Sequence, residues 1–381
     1  MSHTVDFNLH NLFSIRLENP SPKAIQAVKN QVGVQPSMLS GEPDLTVHYV
    51  DRFDDPMYHL VMGKTGFIKD EFYVMAGNGR KDHRVQFPFE ALGQPCKLIC
   101  EAGTTEIPLL NLIINLRMLA KGLVPIHASA FVSEGVGVVV NGWPKGGKTS
   151  TLFSFLNHDA QFISDDWLFV DSNSKIYGLM QPIKLSDWQL NQLPDFQSKV
   201  ARSKQWVIQG VRWLDSVAQA MTGSSRTDFL PVKTFNKGLK YLNESQRHVN
   251  LSPATLFGPD LVPPTGHFDV LLLTLSQDAQ HITIAPMSTE TAIERLLAAL
   301  QNEWMQWEGY YTQFLYAFPH RRNMLMDTSR NVQRKLLEHI LADKYILAVN
   351  HPHPVNLDKL YQEINRVLKQ LKGMKDHDEA N

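Results

Sequence analysis

The residues best suited to chemistry lie near the middle of the chain. Gly142-Trp143-Pro144-Lys145-Gly146-Gly147-Lys148-Thr149 fits the pattern G-x-x-x-x-G-K-[ST] at every fixed position. Glycines in such a loop let the backbone curl so that successive N–H groups face phosphate oxygens, and a helix start adds a favourable dipole. Lys148 would bring a mobile positive charge to the β and γ phosphates, and the Thr149 hydroxyl suits magnesium, a hard cation. Lys145, Gly146 and Ser150 complete the expected phosphate-binding set with Gly142, Gly147, Lys148 and Thr149, and the expected ligands are ATP and Mg2+. A glycine-rich turn can match this pattern by accident. Here the valine-rich run Val136–Val140 precedes the loop and a helical pattern over Lys148–Leu156 follows it, which is the context the motif requires.

Two further elements carry candidate groups. Phe162-Ile163-Ser164-Asp165-Asp166 places paired carboxylates at the end of an apolar strand. Beside a phosphate loop, one carboxylate can hold magnesium and the other can orient or deprotonate an attacking hydroxyl. The bland reading is a solvated strand-terminal turn, in which aspartate is common. His127 sits within the strand pattern Val124–Val132, among Ile126, Ala128, Ser129 and Ala130. A hairpin with Val136–Val140 would carry it to the phosphate end or to the far end, depending on register; the residues alone leave it evenly poised between core and site.

These elements must be positioned by an α/β core. Residues 1–105 read as a β-rich unit of short alternating runs, such as Leu45–Val50 and Tyr73–Ala76, separated by turn signals. Ile107–Lys121 has helical spacing with Gly122 as a stop. Then come strand, tight turn at Ser133-Glu134-Gly135, strand, loop, helix, and a strand over Ala160–Val170, the order of a nucleotide-binding core. Asp171–Pro263 shows little periodicity. A strand over Phe268–Leu275, another over His281–Ala285, a helix from Ser288 or Thr289 through Trp304, and an amphipathic helix over Leu357–Leu371 follow. The expected division is 1–105, a phosphate-binding domain over 106–350, and a C-terminal helix and tail over 351–381.

The run His127-Ala128-Ser129-Ala130, the loop Gly142–Thr149, and Ser164-Asp165-Asp166 together resemble the HPr kinase/phosphorylase family and its phosphoenolpyruvate carboxykinase-like relatives. The resemblance spans Pro125 to Val170. It implies a P-loop kinase core with a smaller β-rich N-terminal domain, Asp165 as catalytic acid/base, Asp166 as the neighbouring metal-associated acid with Thr149, and His127 near the phosphates. It also implies transfer of the γ-phosphoryl of ATP to a hydroxyl, on a serine-containing protein or peptide or a small molecule. The family's His-Gly pair is His127-Ala128 here, and its Glu-Ile-Arg-Gly motif has only the uncharged echo Val207-Ile208-Gln209-Gly210. Kinase chemistry is therefore supported, whereas HPr as substrate and phosphorylase activity are not. A nucleotide-dependent switch or assembly factor and an inactive ATP-binding scaffold stand as alternatives.

Composition sets the remaining bounds. With 37 basic and 38 acidic residues the formal charge is −1, so no bulk field pulls the chain toward nucleic acid or an anionic membrane. Cys96 and Cys100 are spaced unlike a zinc knuckle or a redox pair and fit a strand. The N-terminus lacks a basic segment followed by an apolar one, and Ile107–Ala120 is too short and too polar to cross a bilayer, so a soluble cytoplasmic protein is expected. Lys233, Lys237, Lys240 and Arg247, and the group His320-Arg321-Arg322, are basic clusters that could meet an anionic substrate or lie on a solvated surface. Trp304 and Trp307 read as core aromatics. A homo-oligomer is left open.

Overall fold

The computed structural model describes residues 3–77, 82–200, 248–258, 264–278 and 280–379; Val207–Gly210 and the cluster Lys233–Arg247 lie outside the described residues. The chain is a mixed α/β protein with parallel and antiparallel sheets. Its N-terminal part supplies β1 (Thr4–Leu9), β2 (Phe13–Glu18), β3 (Leu45–Val50), β4 (Tyr58–Val61), β5 (Thr65–Ile68), β6 (Glu71–Ala76), β7 (His83–Gln86) and β8 (Cys96–Glu101). They form one eight-stranded sheet in the order β1-β2-β3-β8-β7-β6-β5-β4. Period-2 patterning builds it: Leu45, Val47 and Tyr49 are buried while Thr46, His48 and Val50 are partly exposed. Both cysteines lie on β8 as free thiols, and burial pushes each up to about 12, so neither is reactive.

Helix α1 (Pro22–Val32) interrupts this β-rich part; Ser21 caps it by accepting from Ala24 N, and Gly33, at φ 72, ends it. Its buried face is only Ala24, Val28 and Val32, a stripe too thin to stand out against the neighbouring strand patterns. Helix α2 (Leu110–Ala120) lies within the expected range, with Gly122 at φ 81 beyond it.

The second half is built around a six-stranded sheet. Its strands are β10 (Ala128–Ser133), β11 (Val136–Gly142), β12 (Gln161–Ser164), β18 (Val270–Gln277), β19 (Thr283–Pro286) and β20 (Tyr345–Pro352), in the order β12-β10-β11-β18-β20-β19. The neighbours β11, β18 and β20 are parallel, whereas β10, β12 and β19 run antiparallel to the strands they join. A four-stranded sheet holds β9 (Val124–Ile126), β13 (Leu168–Val170), β14 (Lys175–Gly178) and β17 (Thr265–His267), and β15 (Ile183–Ser186) pairs with β16 (His248–Leu251). Helix α3 (Lys148–Leu156) follows the loop as expected. The short helices α4 (Asp187–Leu190), α5 (Pro194–Ser198) and α6 (Pro253–Phe257), then α7 (Thr289–Ala317), α8 (Met324–Ile340) and α9 (Leu357–Glu379), complete the described α-helices.

Two expectations are corrected. Val124–Val132 and Ala160–Val170, each read as one strand, are each two strands belonging to different sheets. Their apolar alternation continues through the break, so pattern alone could not show it. Helix α7 begins at the expected Ser288 cap but runs past Trp304 to Ala317. Its first half packs Ile293, Leu296 and Leu297 against the central sheet. The second half packs Trp304, Trp307, Tyr311 and Phe314 into one core with the N-terminal sheet and α2. Among the described residues no helix is long and apolar enough to cross a membrane.

The turn after α7 is pinned to the N-terminal part. Arg321 is bidentate on Glu90 and also donates to Asp70 O, while Arg322 pairs with Asp327. Two members of the basic group His320-Arg321-Arg322 are thus engaged in structural contacts. Buried Asn323 caps α8 by accepting from Met326 N at 3.0 Å and donates to Phe89 O and Leu92 O, each at 2.8 Å. Asn323→Ala removes the cap, takes the donor from buried Leu92 O and leaves Phe89 O only a 3.4 Å bond from Leu92 N, so it should lower the unfolding free energy by about 2–4 kcal/mol. Urea titration measures this directly; a loss below about 0.5 kcal/mol, the range of ordinary surface changes, would show the pin to be dispensable.

Candidate functional site

The site lies where an antiparallel strand pair opens. On one side of the opening Ala130 of β10 faces Ser164 of β12, and on the other Ile126 of β9 faces Leu168 of β13. These two pairs leave 127–129 and 165–167 between them, and just beyond Ala130 the β10–β12 register shifts by one residue. Those stretches hold His127, Ser129, Asp165, Asp166 and Trp167. Ser164 stabilises the departure by donating to Trp167 O at 2.6 Å. Asp166 sits at φ 96, a conformation that a residue with a Cβ adopts only at a cost, and such strain concentrates at functional sites.

The register of β10 and β11 settles which end His127 occupies. Ala128 faces Asn141, so His127 lies at the Gly142 end, beside the loop. Asn141 Nδ2 donates to His127 O at 2.9 Å and ties the two together. The loop itself needs its glycines. A Cβ at Gly142 would stand 2.5 Å from Thr274 O, and one at Gly146 would meet Trp143 O at 2.8 Å. Trp143 and Lys145 stand exposed on the loop, Lys145 at φ 64. Lys148 Nζ donates to Gly142 O at 2.8 Å, folding its charge back over the loop. Ser150 is buried and its Oγ accepts from Gln189 Nε2 at 3.0 Å.

The two carboxylates face different partners. Asp165 is buried, accepts from Ser129 Oγ at 2.5 Å, and accepts from Thr149 Oγ1 at 3.1 Å on each oxygen. Asp166 is exposed, and its Oδ1 lies 2.5 Å from His127 Nε2. The other ring nitrogen, Nδ1, lies 3.1 Å from Glu303 Oε1 on α7. His127 also stacks on Trp167, from which the aromatic run continues to Trp307 and Trp304. The tryptophans are buried, as the core reading expected, and they back the site.

Environment separates the groups electrostatically. Burial pushes Asp165 up to about 6, with the Asp166 charge adding to the rise and the Ser129 and Thr149 hydrogen bonds opposing it. Desolvation also acts to raise Asp166, but the His127 hydrogen bond and the charges of His127 and Lys148 outweigh it and hold this carboxyl low. For His127, burial disfavours the proton, yet the bonds to Asp166 and Glu303 prevail and raise its pKa. Burial lowers Lys148 against the pull of Asp166, Asp165 and Glu303. The hydrogen bond to His127 holds Glu303 low.

The structure thus brings His127, Lys148, Thr149, Asp165 and Asp166 to one place. Sequence reasoning missed Ser129, Gln189, Glu303 and His351. Ser129 lay inside the quoted run and could have been found from its strand position. Glu303 and His351 carry no local signal. Among the described residues no three His, Cys, Asp or Glu side chains converge to hold a metal by themselves. Magnesium needs no such cage, since it commonly uses one or two carboxylates with water and substrate phosphates. Thr149 and Asp165 fit that pattern.

A carboxyl held at about 6 in the folded chain, against 3.8 for the free side chain, costs stability when ionised. That cost is absent below pH 3.8 and fully felt above about 6. Asp165→Asn should therefore stabilise the protein at pH 7.5 in magnesium-free buffer by on the order of 2–3 kcal/mol, the gain fading toward pH 4. Denaturant titrations across that range read the effect. A loss of stability at pH 7.5 would mean that the Ser129 and Thr149 bonds to the charged form outweigh its burial.

No protein-family model matches the chain, and no curated protein is significantly similar to it.

Proposed function

We propose that this protein is a magnesium-dependent phosphotransferase that moves the γ-phosphoryl of ATP to a hydroxyl, on a protein, a peptide or a small molecule. The observation that supports it most is the meeting, beside the P-loop at the end of β11, of two carboxylates in unlike environments. A buried one is bonded to the loop's Thr149 and an exposed one is aligned by His127. Pairs of titratable groups held apart in this way are how sites divide metal and proton duties. The same residues support a core of the HPr kinase/phosphorylase and phosphoenolpyruvate carboxykinase-like type, with the β-rich N-terminal part contributing to substrate choice.

The geometry favours exchanging the duties that the family resemblance implies for the aspartates. Thr149 touches Asp165 and not Asp166, so Thr149 and Asp165 would hold magnesium, whose charge offsets that on the phosphate oxygens. Lys148 turns from Gly142 O to the phosphates, and the loop amides cradle them. Asp166, exposed and fixed by His127, accepts the proton of the acceptor hydroxyl as its oxygen bonds to phosphorus and the bond to the departing ADP breaks. His127, held between Asp166 and Glu303, offers positive charge beside the transferring group.

The two aspartates should then fail differently. Asp166→Asn should bind ATP normally and keep its magnesium midpoint while turnover falls by about 10²–10⁴-fold. Asp165→Asn should need more magnesium to reach its maximum. A transfer assay across a magnesium titration, with and without candidate acceptors, measures both. Wild-type turnover in Asp166→Asn, or a magnesium shift confined to that variant, would return the base to Asp165. ADP formation that no acceptor ever diverts from water would favour a nucleotide-dependent switch.

A further inference from the structure

The three parallel strands β11, β18 and β20 end together below the phosphate loop: Gly142 faces Thr274, and Ser276 faces His351. His351, near the end of β20, is 1 % exposed. Its ring lies between two carbonyls, with Nδ1 2.8 Å from Pro352 O and Nε2 3.0 Å from Gly146 O. A carbonyl only accepts and a neutral imidazole carries one N–H, so the ring donates to the loop in the tautomer that has its proton on Nε2. The Nε2 edge of the ring also abuts the next residue. Gly147 sits at φ 111, and a Cβ there would fall 2.0 Å from Nε2, 2.9 Å from Cε1 and 3.1 Å from Cδ2.

A peptide unit is planar and trans, so its C=O and N–H point in opposite directions. Holding Gly146 O against His351 therefore turns the Gly147 N–H away from the core. Among the described residues that N–H has no partner, although Gly146 N donates to Trp143 O and Gly147 O accepts from Thr151 N. It is a donor aimed outward at the start of α3, where the loop's phosphate groups are expected.

We infer that His351 is a positioning residue for phosphate: by gripping Gly146 O it fixes the Gly146–Gly147 peptide so that the Gly147 amide donates to a phosphate oxygen of the nucleotide. This rests on the phosphate-binding reading of the loop. Without the grip the peptide is free to flip and present its carbonyl to the anion instead. Glycine at 147 is required because the ring occupies the place of a side chain, and glycine also makes such a flip cheap, so a clamp is needed. The role belongs to binding and alignment; His351 itself does not touch substrate.

Calorimetry with MgATP and with magnesium tripolyphosphate, on wild type and variants, tests this. His351→Leu removes the donor and should weaken both ligands by about tenfold or more, the scale of one hydrogen bond to a charged group. His351→Gln, whose amide reaches the Nε2 position, should restore affinity to within about threefold of wild type. If the Leu variant does not fold, the Gln and Asn variants decide, since the shorter Asn amide reaches Pro352 O but not Gly146 O. At matched melting temperature the Asn variant should bind more weakly than the Gln variant. In protein labelled with 15N-glycine, the Gly147 amide proton should move downfield on adding tripolyphosphate in wild type and Gln, and stay put in Asn. Equal affinities across the variants, or a Gly147 amide unmoved in a wild type that binds, overturn the role of His351 alone. No binding by the wild type overturns the phosphate reading of the loop itself, and the inference with it.

Discussion

The opening of one antiparallel strand pair between Ala130–Ser164 and Ile126–Leu168 is the constraint on which the rest of the site depends. These two pairs bracket the gap and set its length, with a register shift between Ala130 and Phe131 at its edge, so the groups in it are held relative to one another. One strand offers His127 and Ser129, the other Asp165 and Asp166. Next to them β11 ends and the glycine loop begins. Thr149 reaches across to Asp165, so the loop and the opened pair form a single hydrogen-bonded unit. The strained φ of Asp166 fits this arrangement: it lets consecutive aspartates face different surroundings, one buried and one exposed.

That unit is supported from a distance. Helix α7 runs from the central sheet to the N-terminal sheet, and Glu303, near its middle, holds the far nitrogen of His127. Trp304 and Trp307 on the same helix join the aromatic run behind His127, and both belong to the core that includes the N-terminal strands. The β-rich part is thus packed into the backing of the site rather than hung beside it. On the other side β20 reaches beneath the loop with His351. The histidines that frame the loop serve opposite ends of it, His127 facing the carboxylates and His351 facing the glycine peptide.

How much of this was legible in the sequence follows from what each feature depends on. The loop, helix α3 and the Asp165-Asp166 pair depend on contiguous residues, and all three were read where they occur. The broken strands were not, because Val124–Val132 and Ala160–Val170 keep their apolar alternation through the break; the interruption comes from pairing between segments. The position of His127 was left open until the register of β10 with β11 placed it beside Gly142. Glu303 and His351 lie far along the chain from the residues they hold, in elements whose local pattern says only helix or strand. The division of duties proposed for the aspartates was beyond the sequence too, since it rests on which carboxylate Thr149 touches.

The central claim is that the loop binds nucleotide phosphates through its amides and Lys148, and the most direct measurement is calorimetric titration of the protein with MgATP beside Lys148→Ala. The account predicts saturable one-to-one binding by the wild type. In the Lys148→Ala variant, whose fold is checked by circular dichroism, binding should be severely weakened, because the loop then lacks its mobile cation. Absence of binding by the folded wild type, or equal affinity in the two proteins, would contradict it.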